Sequence, residues 1–405
     1  MGKMNSATLR LVLLISCCHA LVHVYEHSFA CVEQLVVADG TGFSVEADHQ
    51  KAVSGQLGNC LRLPFGMCAL AAGWFADRYG AKRLLLIYLL GCSLSAGLAW
   101  FSPNLAAMYF AMFTLGLFCS IYHPAGVGLI SHHTNPENRP MALGYHGIFG
   151  STGIAAGPFL AGLVLNTGAT WQQYYLLLAV PGVLLAVLLK WRLAHGGLPS
   201  QTTETDAPIT DGEDDAYWSS YVTLITVAAI SGFVYAAILN FMPRYLDSAG
   251  LTLGPIPKES MRNYLTGAVL LLGVLGQYAA GRFARPSTLE PLMAFAFFSA
   301  APCVLAMAFV EGYARIAVAG FFSPLFFMHQ PLYNSLVAKY VPRRRRSLCY
   351  GLSFTLGFGV GSFGPTFSGY AKSDLLNFGT LSAILVVSGI LSLVLWRWHG
   401  PVRTV

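Results

Sequence analysis

Apolar residues along this chain come in runs long enough to cross a bilayer, separated by short polar or Gly/Pro-rich breaks. Twelve runs are read, at 8–37, 51–76, 83–102, 105–131, 140–165, 171–192, 217–246, 260–283, 289–310, 313–340, 347–371 and 376–397. A helix needs roughly 20 such residues to span a membrane, whereas a barrel strand would show roughly ten alternating ones. The pattern predicts an all-α polytopic membrane protein with twelve transmembrane helices in two pseudo-symmetric six-helix bundles. The break at 193–216 contains HGGLPSQTTETDAPITDGEDDA and is acidic and rich in Ser, Thr, Gly and Pro. It reads as a flexible cytoplasmic linker between bundles at 1–192 and 217–405.

Composition agrees with lipid as the solvent. Hydrophobic residues are 55% of the 405 and charged residues 10%, where a soluble chain carries about 25%. The excess of 24 Lys+Arg over 18 Asp+Glu is too small to imply nucleic acid. Its distribution points to orientation instead. With both termini in the cytoplasm, the inner segments hold Lys3, Arg10, Arg78, Lys82, Arg83, Arg139, Lys190, Arg192, Arg282, Arg285, Lys339, Arg343 to Arg346, Arg397 and Arg403. Only Lys51, Arg244, Lys258, Arg262, Arg315 and Lys372 fall outside, and Arg62 lies within a span. The first run carries His and Glu and continues well past Cys31, so it is expected to be a retained span rather than a cleaved leader. The nine cysteines form no CxxC pair and read as small hydrophobes.

A shift of 207 residues lays YHPAGVGLISHHTNPENRPMALGYHGIFGSTGIAAGPFLAG, from Tyr122, on HQPLYNSLVAKYVPRRRRSLCYGLSFTLGFGVGSFGPTFSG, from His329. Pro124 then matches Pro331, Arg139 matches Arg346, and Gly150 matches Gly357. Gly157-Pro158 matches Gly364-Pro365. Taken singly these are packing glycines and kinking prolines, but their shared register indicates duplicated halves, an architecture in which two bundles rock about a midplane site.

Ionisable groups inside spans are functional candidates by default. Glu26 lies roughly 24 Å beyond Arg10, and Arg62 roughly 22 Å beyond Asp77, so the two share a depth on sequential helices. They are expected to face each other or a common aqueous cavity, either as a static pair or as a protonatable carboxylate beside an anion-attracting cation. Glu33 sits about 10 Å further along the first helix. His19, His23 and His27 repeat every four residues and form a stripe beside Glu26. Such a stripe could relay protons, hydrogen-bond statically, or ligate a transition metal, although no thiolate or carboxylate cluster completes a coordination shell. No metal or other cofactor is therefore expected. His146 lies about 10 Å beyond Arg139.

GWFADRYGAKR follows the second run, with Gly73, Asp77, Arg78, Gly80, Lys82 and Arg83 at the positions of G-x-x-x-D-R-x-G-x-[RK]-[RK]. This resembles the signature loop of the major facilitator superfamily, and YHPAG with RPMALGYHGIFGSTGIAAGP resembles its fosmidomycin-resistance efflux branch. The resemblance implies that Asp77 helps hold an inner gate shut, with Arg139 or the helix start near Arg346 as partner. It also implies a cavity lined by spans 1, 4, 7 and 10. Those spans offer Tyr122 and His123, Tyr235 and Asn240, and His329, Gln330, Tyr333 and Asn334.

These readings converge on a proton-coupled secondary transporter of the plasma (inner) membrane, not an enzyme, expected as a monomer that exports a small organic compound. Uptake of an organic anion is the alternative. A histidine-rich membrane enzyme and a transport-dead sensor are the other classes.

Overall fold

The computed structural model describes residues 4–134, 138–195, 217–342 and 345–399, with side chains described at all of these except 139, 140, 193–195, 346, 347 and 399. Within them the chain forms sixteen helices and no strand. The first half comprises α1 (Ser6–Val37), α2 (Gln50–Met67), α3 (Ala69–Tyr79), α4 (Ala81–Trp100), α5 (Leu105–Cys119), α6 (Tyr122–His132), α7 (Arg139–Leu165) and α8 (Trp171–His195). The second half comprises α9 (Trp218–Asp247), α10 (Lys258–Phe283), α11 (Leu289–Ala306), α12 (Ala314–Phe327), α13 (His329–Tyr340), α14 (Arg346–Gly361), α15 (Phe363–Tyr370) and α16 (Asp374–His399). Most of the expected linker lies outside the described residues.

Four of the twelve spans are interrupted, namely α2–α3, α5–α6, α12–α13 and α14–α15. Three interruptions follow from proline. A proline within a helix clashes with the carbonyl four residues before it and removes one hydrogen bond. Four residues before Pro124, Pro331 and Pro365 stand Ser120, Phe327 and Gly361, and each marks the end of a helix or the residue just beyond it. Repeat-related Pro124 and Pro331 thus break their spans at one register. The second repeat pair behaves differently, because α7 runs unbroken through Pro158 while α14 stops before Pro365. The second site is under pressure from α9: a Cβ on Gly364 would lie 2.2 Å from the Phe233 carbonyl oxygen. At Gly157 the nearest atom would be 3.5 Å away.

One cluster of buried apolar side chains runs from Leu11 to Leu189, and a second from Tyr221 to Leu395, joined by Ile154 and Ala155 of α7. These are the cores of two bundles. In the first, α1 packs on α7, and α4 on α5 and α8; in the second, α11 packs on α16 and α12, and α9 on α14, α15 and α16. The bundles meet where α7 lies along α10, α2 along α14 and α15, and α1 along α9. Large apolar side chains such as Leu94, Leu184, Val187, Leu275 and Phe321 are exposed. In water that surface would be an aggregation hazard, whereas hydrocarbon requires it. Nine of the spans are long and apolar enough to cross a membrane as they stand, α5 and α6 counting together. The other three are the remaining broken pairs.

Candidate functional site

Span 1 is a single helix, so the polar residues it carries are held at fixed depth and angle. His19, His23, Glu26 and His27 are all buried in its middle. Arg62 of α2 donates from Nη1 to Glu26 Oε1 at 2.5 Å, and its Nη2 lies 3.3 Å from His27 Nδ1. The second carboxylate oxygen accepts from His23 Nδ1 at 2.7 Å. With Glu26's side chain wholly enclosed and Arg62's 3% exposed, neither charge has water to fall back on. Each is tolerable only because the other is there.

Ring roles follow from what each partner can do. A guanidinium only donates, so His27 Nδ1 accepts and its Nε2–H is left to donate. It meets the Tyr235 hydroxyl of α9 at 3.2 Å. The Arg62 guanidinium also lies over the Tyr235 ring, 5.6 Å from its centroid. A continuous polar chain, Arg62–Glu26 and His27–Tyr235, therefore crosses from the first bundle to the second.

One turn earlier on α1, His19 Nδ1 donates to the His146 backbone carbonyl at 2.7 Å, and its Nε2 lies 3.2 Å from His23 Nε2. The His146 ring stacks on His19 with centroids 3.8 Å apart. Its Nε2 is 3.0 Å from the Tyr122 hydroxyl, which donates to the Ile15 carbonyl at 2.7 Å. Gly150 is needed for this arrangement, since a Cβ there would be 2.3 Å from the His19 ring. His123 stands edge-on to His19 at 5.3 Å and is backed by Phe65 and by Phe354 of α14. His19, His23 and His123 each present one nitrogen such that all three lie within 4.8 Å of one another, and so do the ligand atoms of His23, Glu26 and His27. An exposed group of Glu46, Asp48 and His49 meets the same criterion.

Glu33 belongs to a different network, at the end of the bundle opposite the α3–α4 loop. It accepts from Ser54 at 2.6 Å and from Arg244 Nε and Nη2 at 2.8 and 2.5 Å. Beside it Asp247 lies 3.3 Å from Lys258 and 3.8 Å from Arg262, and accepts from Gln34 at 3.3 Å. This inter-bundle latch was not expected from the sequence, where Arg244, Lys258 and Arg262 lie at the outer ends of apolar runs. α9 ends at Asp247, which puts Arg244 inside its last turn. A second contact the sequence did not predict joins Ser151 and Gln277, where the serine hydroxyl of α7 donates to the α10 amide oxygen and Gln277 in turn donates to Gln330 at 2.7 Å.

The remaining span-10 candidates stay apart from the histidine cluster. His329 packs on Phe297 and Phe326, with Nδ1 2.5 Å from the Phe326 carbonyl. The Tyr333 hydroxyl is buried without a hydrogen-bond partner among the described residues, and Asn334 is exposed. Asn240 sits over Gly58 with its Nδ2 unpartnered among the described residues. In the loop, Asp77, Arg78 and Arg83 are exposed and Lys82 half-buried, and the Arg78 guanidinium lies over Trp74 and Tyr79. Gly73 packs near Pro124, and Gly80 joins α3 to α4 at φ 92°, which a side chain would resist. The side chains of Arg139 and Arg346 lie outside the described residues, so the expected partners of Asp77 do too.

The Major Facilitator Superfamily model matches residues 44–365. A puromycin resistance protein of Streptomyces alboniger is 32% identical over 127 residues, 31% of this chain and 25% of that protein. The chain thus spans a quarter of that relative's length. An MFS-type transporter of Bacillus subtilis is 24% identical over 349 residues, 81% of both chains. Among solved structures, a bacterial homolog of the human lysosomal transporter Spinster, in an inward-facing and unoccupied conformation, superposes with a TM-score of 0.72 at 13% identity, covering 98% of both chains. That likeness is one of fold. With its twelve spans, signature loop and repeated halves, the chain belongs to the Major Facilitator Superfamily.

Proposed function

We propose that the chain is a secondary active transporter of the plasma membrane, monomeric, with both termini and the 193–216 linker cytoplasmic. It alternates access between the bundles at 1–192 and 217–405 and exchanges protons for a small organic compound that it exports. The observation that carries this reading is the polar chain from Glu26 through Arg62 and His27 to Tyr235. A proton-driven exchanger needs one titratable group that both bundles feel, so that its protonation shifts the balance between conformations. Glu26 has that position. Protonating it strips Arg62 of its counter-charge, an effect of about 3–5 kcal/mol for a buried pair. Inverting a two-state equilibrium from 1:99 to 99:1 takes about 5.5 kcal/mol, so this effect supplies more than half of such an inversion, and differential binding of substrate has to supply the rest. The relatives support export through the resistance function in the name of one of them.

Arg62 favours a second reading. Once Glu26 is protonated the freed guanidinium can hold a substrate carboxylate, which would couple proton entry to uptake of an organic anion. Purified protein in liposomes separates the two, using a panel of compounds that includes puromycin and simple organic acids. Export by exchange predicts accumulation in vesicles with an acid lumen. Anion uptake predicts accumulation when the outside is acid. Accumulation indifferent to either gradient would remove proton coupling from the account.

A further inference from the structure

The contact between His19 and His23 carries a chemical conflict. His19 Nδ1 faces a backbone carbonyl, which can only accept, so the proton is on Nδ1. His23 Nδ1 faces the carboxylate held by Arg62, which also accepts, so its proton is on Nδ1 as well. In the neutral rings both Nε2 atoms are then lone pairs, yet they point at each other across 3.2 Å. Two acceptors at that distance repel unless something positive stands between them.

We propose that His19 Nε2, His23 Nε2 and His123 form a binding site for one borderline divalent transition-metal ion of the Zn2+, Co2+ or Ni2+ class. The spacing suits it: an ion about 2.05 Å from two nitrogens 3.2 Å apart subtends about 100°, near the tetrahedral angle. Imidazole is the ligand these ions share. The outer partners are those that metal-bound histidines use, a backbone carbonyl behind His19 and a carboxylate behind His23, each fixing the tautomer that frees Nε2. His123 makes no hydrogen bond among the described residues, and closing on the ion needs a movement of order 1 Å from its present spread of at most 4.8 Å. The three residues keep exposures of 7%, 6% and 9%, against 2% for Glu26 and His27, so this triad is the less enclosed of the two. Choosing this triad also leaves Glu26 with Arg62. Three neutral imidazoles around a dication beside Arg62 leave the charge unbalanced, and the open fourth position therefore takes an anionic ligand.

The site stands whether or not the chain transports protons, because binding is read at equilibrium on detergent-solubilised protein. Full-length protein purified on a histidine-free tag is titrated with Co2+ and followed in the visible region. The expected result is one saturable site whose bands report nitrogen ligands without sulfur charge transfer. His23→Gln and His123→Gln each abolish those bands with the thermal-unfolding curve retained, and His49→Ala, which breaks the exposed Glu46–Asp48–His49 group, leaves them unchanged. Glu26→Gln weakens binding roughly 10–100-fold, as loss of an outer partner does. Three results would overturn the proposal: no saturable band, a band that disappears with His49→Ala, or histidine 15N spectra showing a proton shared by His19 and His23 that Co2+ does not displace.

Discussion

Arg62 binds Glu26 from a neighbouring helix at 2.5 Å while its guanidinium lies over the Tyr235 ring of the opposite bundle, 5.6 Å from the centroid. One cation therefore serves both an ion pair within the first bundle and the contact between bundles. Removing either charge alone strands the other. Arg62→Met or Glu26→Gln should each lower stability by about 3–5 kcal/mol, and the double variant by much less than their sum. Thermal unfolding in detergent of the two single variants and the double checks this. Additive losses would show that the charges do not depend on each other.

Gly150 permits the ring packing around His19. In an exposed helix Gly→Ala gains up to about 1 kcal/mol of helix propensity, whereas overpacking costs about 1–3 kcal/mol. With a Cβ at 2.3 Å from the imidazole, the second term should win for Gly150→Ala. Gly144→Ala and Gly147→Ala on the same helix meet nothing within 4 Å and should be neutral or slightly stabilising. Melting temperatures of the three variants compare the two effects directly.

Glu33 and Arg244 close the end of the molecule opposite the signature loop by a two-pronged pair. Arg244→Gln should loosen that end without disturbing the centre. Hydrogen exchange should speed up in the last turns of α1 and α9 and stay unchanged around His19. Uniform protection would mean that the neighbouring Asp247, Lys258 and Arg262 hold the end closed without this pair.

The twelve spans were legible because a lipid-crossing helix writes its length into the sequence as an apolar run, and the repeat because proline and glycine leave marks in fixed register. The pairing of Glu26 with Arg62 was also legible, since depth along two adjacent helices is simple arithmetic in rise per residue. Partners from distant spans were not. Nothing in the text of α7 says that Gly150 will face His19, or that the His146 carbonyl will fix its tautomer. Arg244 shows the same limit: the run 217–246 places it near a helix end, but nothing there names Glu33 of α1 as its partner. Repeat symmetry overreached as well, because Tyr122 packs in the histidine cluster while its counterpart His329 packs on phenylalanines of its own bundle. The duplication preserves backbone kinks more faithfully than side-chain roles.

The most direct test of Glu26 as the coupling group is gradient-driven accumulation in liposomes, measured beside substrate–substrate exchange for the wild type and Glu26→Gln. The account predicts that Glu26→Gln loses accumulation driven by an imposed pH gradient while still exchanging substrate across the membrane. Accumulation in Glu26→Gln that follows the gradient as the wild type does would contradict it.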